Sequence, residues 1–142
     1  MRLPRFIKKI IPGFEVTDLK EWISKGFIEV YLKRQDNERH CFRCNHKLEN
    51  AKVGEHRMRI RTMDIMGFKT YLIVKRQKHK CLNCKKVRSE YFDFISPENP
   101  HLTREYSWWL GRLCEVTAVS RVGELTGIDK STMWRLDFAR LK

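Results

Sequence analysis

The 142-residue chain has no long hydrophobic run; its longest unbroken apolar stretch is the four residues Tyr71 to Val74. A membrane helix needs about 20 apolar residues and a signal-peptide core about 7 to 15, so neither is encoded and no membrane partner is expected. A cytoplasmic, nucleoid-associated location follows as the expectation. Acidic residues are scarce where basic ones are dense. Residues 33–88 hold 17 Lys and Arg against 5 Asp and Glu, a balance of +12, whereas residues 1–32 carry +2 and residues 89–142 carry −1. Such a concentration is the electrostatic footprint of a nucleic-acid binder, with a merely solubilising surface as the plainer reading. A catalytic constellation is also missing, since Asp64, Glu90 and Asp93 show no catalytic spacing, and the chain is not expected to be an enzyme.

Of the five cysteines, four form two short hooks, Cys41-Phe42-Arg43-Cys44 and Cys81-Leu82-Asn83-Cys84. Two residues between cysteines let both sulfurs turn toward one point, and two such hooks supply the four thiolates of a closed tetrahedral Zn2+ site. The competing reading is a pair of redox dithiols or disulfides. A redox motif normally occurs once, beside a strand-helix-strand pattern that is absent here, and a reducing compartment disfavours disulfides. Cys41, Cys44, Cys81 and Cys84 are therefore the expected ligands of a structural zinc. A four-sulfur site has no open position for a catalytic water. With four thiolates and Zn2+ in place, the basic segment keeps a charge of about +10. Glycine often follows the second cysteine of such a hook, where the backbone is left-handed; here Asn45 suits that conformation and Lys85 does so poorly.

Patterning places these hooks among strands. Arg2, Arg5, Lys8 and Lys9 among Leu3, Phe6, Ile7, Ile10 and Ile11 suit one short amphipathic turn or two, and a second short helix is expected from Thr17 or Asp18 to Gly26. Phe27 to Lys33 alternates as a strand, and Gln35 to Arg39 is a polar loop. Arg57, Arg59 and Arg61 alternate with Met58, Ile60 and Thr62, so a strand would set three guanidinium groups on one face. A turn at Ile65-Met66-Gly67 leads to a strand over Phe68 to Lys80, and a further strand is expected over Val87 to Ile95. The five histidines are expected at the surface, and Cys114 as a small buried hydrophobe.

Ser96-Pro97-Glu98-Asn99-Pro100 breaks the pattern, giving expected domains at residues 1–95 and 102–142 with a linker at 96–101. Leu102, Tyr106, Trp109, Leu110 and Leu113 then mark one face of a helix begun near Thr103. From Ser120 to Leu136 the pattern fits a helix-turn-helix. Gly123 is small where helices would cross, Gly127 supplies the turn, and Val122, Ile128, Met133 and Leu136 form a seam. Asp129 caps the second helix and leaves Lys130, Ser131, Thr132, Trp134 and Arg135 as expected DNA contacts. An ordinary helical hairpin is the alternative. The expected fold class is α+β, a small β-rich zinc ribbon followed by a helical module.

These two motifs, with the basic approach to Cys81 and Cys84, resemble the N-terminal half of transposases of the ISL-three family of bacterial insertion sequences. The resemblance implies a zinc domain and helix-turn-helix that bind the element's inverted-repeat ends in double-stranded DNA. It also implies a large metal-dependent catalytic domain, which would lie beyond Lys142. A homodimer, and a catalytic domain or partner chain where transposition occurs, are the other partners this resemblance admits. The alternatives are a stand-alone zinc-dependent DNA-binding regulator and an RNA-binding or protein-assembly zinc ribbon.

Overall fold

A computed structural model of the chain describes residues 11–35, 39–49 and 52–142. Of the amphipathic segment expected over Arg2 to Ile11, all but Ile11 lies outside the described residues, as do residues 36–38 of the polar loop. The N-terminal part is β-rich and three helices follow, and the described residues separate into two compact units. The first comprises residues up to Arg59 and Asp64–Phe92; the second comprises Ile60–Met63 and Asp93–Lys142. No helix among the described residues is long and apolar enough to cross a membrane.

Strands β1 (Phe14–Trp22), β2 (Phe27–Arg34), β3 (Lys52–Ile65), β4 (Phe68–Lys80) and β5 (Val87–Ser89) form one sheet in the order β1-β2-β4-β3, with β5 paired to β4. β1 is antiparallel to β2, while β2 and β4 run parallel, with Phe27 beside Lys69 and Leu32 beside Val74. The alternation read in β2 sorts its side chains as expected: Val30 and Leu32 are buried, as are Leu72 and Val74 of β4. Between β3 and β4, Met66 and Gly67 both have positive φ, 51° and 82°, as a two-residue hairpin turn requires.

Residues 14–22 form strand β1, which corrects the short helix expected there. The spacing of Leu19, Trp22 and Ile23 allowed a single helical turn, whereas pairing from Phe14 beside Arg34 to Trp22 beside Phe27 satisfies the backbone along the whole segment and buries Phe14 and Val16. Only Ile23–Lys25 is helical, a 3-10 turn that Gly26 ends at φ 74°. The strand expected over Val87 to Ile95 is likewise shorter. It stops at Ser89, and Ile95 makes only an isolated bridge to Thr103.

In the second unit, α1 (Arg104–Leu113), α2 (Val119–Thr126) and α3 (Lys130–Leu141) surround a core of Leu102, Tyr106, Leu110, Val122, Met133 and Leu136. Thr103 caps α1 by accepting a bond from the Tyr106 N–H at 3.3 Å. The 96–101 segment is held by hydrogen bonds from Ser96 N–H to the Leu102 carbonyl and from His101 N–H to the Asn99 side chain, 2.9 and 2.8 Å. Gly123 is required by space, because a Cβ there would lie 3.0 Å from the Ile128 carbonyl oxygen. Thr126, polar where an apolar residue is usual, is buried with its hydroxyl donating to the Val122 carbonyl at 2.7 Å. Cys114 packs against this core, and burial pushes its thiol pKa up, as suits a small hydrophobe.

Candidate metal centre and nucleic-acid surface

The two hooks repeat one backbone geometry. The Cys41 N–H donates to the His46 carbonyl at 2.9 Å and the Cys81 N–H to the Lys86 carbonyl at 3.1 Å, the same five-residue reach in each. His40 bridges Lys47 and Lys80 pairs Val87, so each hook closes a tight antiparallel turn. Asn45 and Lys85 both adopt the left-handed conformation, with φ 58° and 55°. Lys85 therefore accepts the backbone that its side chain disfavours, at a local cost of about 1 kcal/mol.

Cys41 and Cys81 are buried, Cys44 and Cys84 half-buried, and all four sulfurs lie within 4.8 Å of one another. Cys44 Sγ and Cys81 Sγ are 3.6 Å apart. Zn–S bonds of about 2.3 Å in a tetrahedron separate sulfurs by about 3.8 Å, so the cluster fits the ion. Its acidities point the same way. The Asn83 side-chain amide and the His46 N–H push Cys44 down to about 6, while the adjacent Cys44 sulfur pushes Cys84 up to about 12. Four crowded thiolates repel one another without a cation, and Zn2+ removes that conflict by binding them all. These four cysteines are a structural zinc site. Zinc held by these four sulfurs would link the two hooks and, being coordinatively closed, would supply no open position for substrate.

Beside the hooks lies a buried carboxylate that the charge pattern did not reveal. Glu90 accepts from Arg34 Nη1 at 2.9 Å and from the Gln77 N–H at 2.9 Å, and its Oε1 is 2.6 Å from Arg39 Nε. It joins β2, β4 and the approach to Cys41 in one charged network. His79 is a correction to the expected surface histidines. It is 5% exposed, neither ring nitrogen is hydrogen-bonded among the described residues, and burial pushes its pKa down, favouring the neutral imidazole. The other four histidines are exposed.

The arginine row of β3 does not form one exposed face. Arg57 and Arg59 are exposed, but Arg61 is 5% exposed. Within the helical unit its Nη1 donates to the Thr126 carbonyl at 3.1 Å and its guanidinium lies 5.2 Å over the Tyr106 ring. At the start of α3, Asp129 accepts from the Thr132 N–H at 2.8 Å, which leaves Lys130, Ser131, Trp134 and Arg135 exposed. Thr132 is buried and its hydroxyl donates to Asp129, so it belongs to the cap. Arg135 donates to the Thr132 hydroxyl at 3.2 Å. Missed from sequence was the outer side of α3, where Trp134, Phe138 and Leu141 are exposed at i, i+4 and i+7.

No curated protein and no solved structure matches the chain. Residues 37–84 match the family model described as the zinc-finger of transposase IS204/IS1001/IS1096/IS1165, a span that contains both hooks and all four ligands. Over residues 37–84 the ribbon of this chain is therefore similar to the zinc finger of that transposase family.

Proposed function

We propose that this chain is the DNA-binding portion of a transposase and recognises the inverted-repeat ends of its element. The family match across the zinc ligands is the observation that carries this reading. The +12 balance of residues 33–88 supports it, because phosphate neutralisation by Lys and Arg supplies most of the sequence-independent affinity for DNA. Arg57 and Arg59 are the phosphate contacts on the ribbon. In the second unit, α2 and α3 act as a helix-turn-helix, with Arg135 reading a base edge and Lys130 and Ser131 fixing register on phosphate. Cutting and joining are assigned to a metal-binding carboxylate domain and not to these residues. Glu90 is committed to its arginines.

Selection of duplexes from a random pool by the zinc-loaded protein tests this reading. Enrichment of one motif matching the ends of an insertion element is the expected result, and binding without sequence preference overturns it. A specific observation favours a second reading, protein assembly. Trp134, Phe138 and Leu141 give α3 an apolar outer side that a second copy or a partner helix would cover. A homodimer in sedimentation, dissociated by Phe138→Glu, is its signature.

A further inference from the structure

One face of the sheet carries more aromatic surface than a solvated face requires. Trp22 of edge strand β1 is 40% exposed and stacks on Phe27 at 5.9 Å between ring centroids, with 27° between the planes. Phe27 meets Tyr71 edge to face at 6.0 Å. The Arg59 guanidinium lies 3.7 Å from the Tyr71 centroid and 5.1 Å from that of Phe27. The pairing of Trp22 with Phe27, of Phe27 with Lys69 and of Glu29 with Tyr71 sets these side chains on one face. Cations alternate with the rings. The Lys25 ammonium is 5.3 Å from the Trp22 ring and that of Lys20 is 4.9 Å from Tyr31. The opposite face holds the buried residues Val30, Leu32, Leu72 and Val74, so this row is not part of that core.

We infer that this face binds an unpaired nucleic-acid strand by stacking its bases. A base is a flat π surface that carries a phosphate with it, and the row offers the two complementary features side by side. Trp22 gives one stacking position; the Arg59 guanidinium, backed by Tyr71, gives a second. The neighbouring Lys20 and Lys69, both exposed, meet the phosphates. Paired DNA hides its base faces inside the helix and cannot use such a surface, so the ligand is single-stranded. Stacking needs no particular base, and the expected preference among sequences is slight. The site uses none of the α3 residues proposed to read duplex DNA and shares only Arg59 with the phosphate contacts proposed on the ribbon.

The zinc-loaded full chain is titrated against fluorescent oligomers of about 15 nucleotides, oligo-dT and oligo-U, and against a duplex of the same length. Salt-dependent binding of a single strand is expected, and the comparison of dT with U says whether DNA or RNA is preferred. Trp22→Leu keeps the apolar bulk without the ring and should weaken single-strand binding about 5- to 150-fold, Trp22→Phe should restore most of it, and Arg59→Ala should weaken it similarly. Duplex binding by Trp22→Leu should equal that of the parent. Failure of both single strands to bind, or equal affinity of Trp22→Leu and the parent with zinc content and circular dichroism intact, overturns the inference and leaves duplex recognition standing. Single-strand binding that depends on Trp22, in a protein that ignores duplex, sinks duplex recognition and upholds the inference.

Discussion

The Arg61 guanidinium donates a 3.1 Å hydrogen bond to the carbonyl of Thr126, the last residue of α2. A cation at that place compensates the negative end of the helix dipole and satisfies a carbonyl that the helix itself leaves unpaired. Arg61→Met should therefore lower stability by about 1.5 to 3 kcal/mol in thermal or denaturant unfolding while leaving the salt dependence of DNA binding alone. Replacing the exposed Arg57 and Arg59 with Ala should do the reverse, flattening the slope of log K against log salt by about 0.9 for each phosphate that is no longer neutralised. An Arg61 variant that matched the parent in stability but flattened the slope would return that residue to the binding surface.

Removing zinc should unfold the ribbon. Its strands are heavily charged, and metal binding is folding free energy in small modules of this kind. Cys81→Ser should lose the stoichiometric zinc measured by mass spectrometry, along with the β signal in circular dichroism. Persistence of the sheet under a strong chelator would contradict this. Lys85→Gly should raise stability by about 0.5 to 1 kcal/mol, because glycine takes φ 55° without the steric penalty that lysine incurs.

Glu90→Ala should be among the most damaging changes to the first unit. The carboxylate is 5% exposed and faces Arg34 and Arg39, so its removal leaves two confined guanidinium groups without their shared counter-charge. A loss of about 3 to 5 kcal/mol is expected in urea unfolding of the zinc-loaded protein. A loss below about 1 kcal/mol would mean that solvent replaces the carboxylate readily.

The cap of α3 titrates. Hydrogen bonds from the Ser131 and Thr132 hydroxyls, and then the Thr132 N–H, push Asp129 down from 3.8 to about 2. A depressed folded pKa means stabilisation that is complete above 3.8 and lost as pH falls toward 2. Asp129→Ala should cost about 0.5 to 2 kcal/mol at neutral pH, and its difference from the parent should shrink across that acid window. A difference that stayed constant down to the acid end of that window would exclude the carboxylate as the cause.

Base reading is expected at Arg135. A guanidinium pairing bidentately with guanine contributes about 1 to 3 kcal/mol of discrimination, so Arg135→Ala should weaken binding to the selected duplex by that amount and binding to random DNA much less. Competition titrations with the two duplexes check it. Equal losses on both would reassign Arg135 to phosphate.

Much of the metal centre and of the local helix signals was legible in the residues themselves. Two residues between cysteines determine where sulfurs can point, Thr103 and Asp129 announce helix starts by their own hydroxyl and carboxylate chemistry, and Gly26, Gly67 and Gly127 mark left-handed turns. All of these depend on neighbours within a few positions. Charge density was equally plain, since it is a sum that needs no coordinates. Partners distant in the chain were not legible. The antiparallel pairing of β1 with β2 turned residues 14–22 into a strand, since pairing along β2 satisfies more backbone than one helical turn could. Alternation put Arg61 in line with Arg57 and Arg59, but 65 residues further along a helix end required a cation, and hydrogen bonding there outweighed exposure. His79 was expected at the surface for the same reason, and nothing in the sequence marked Glu90 for burial. Their burial is set by segments that meet only when the sheet closes, and tertiary structure alone decides which polar groups then lose their water.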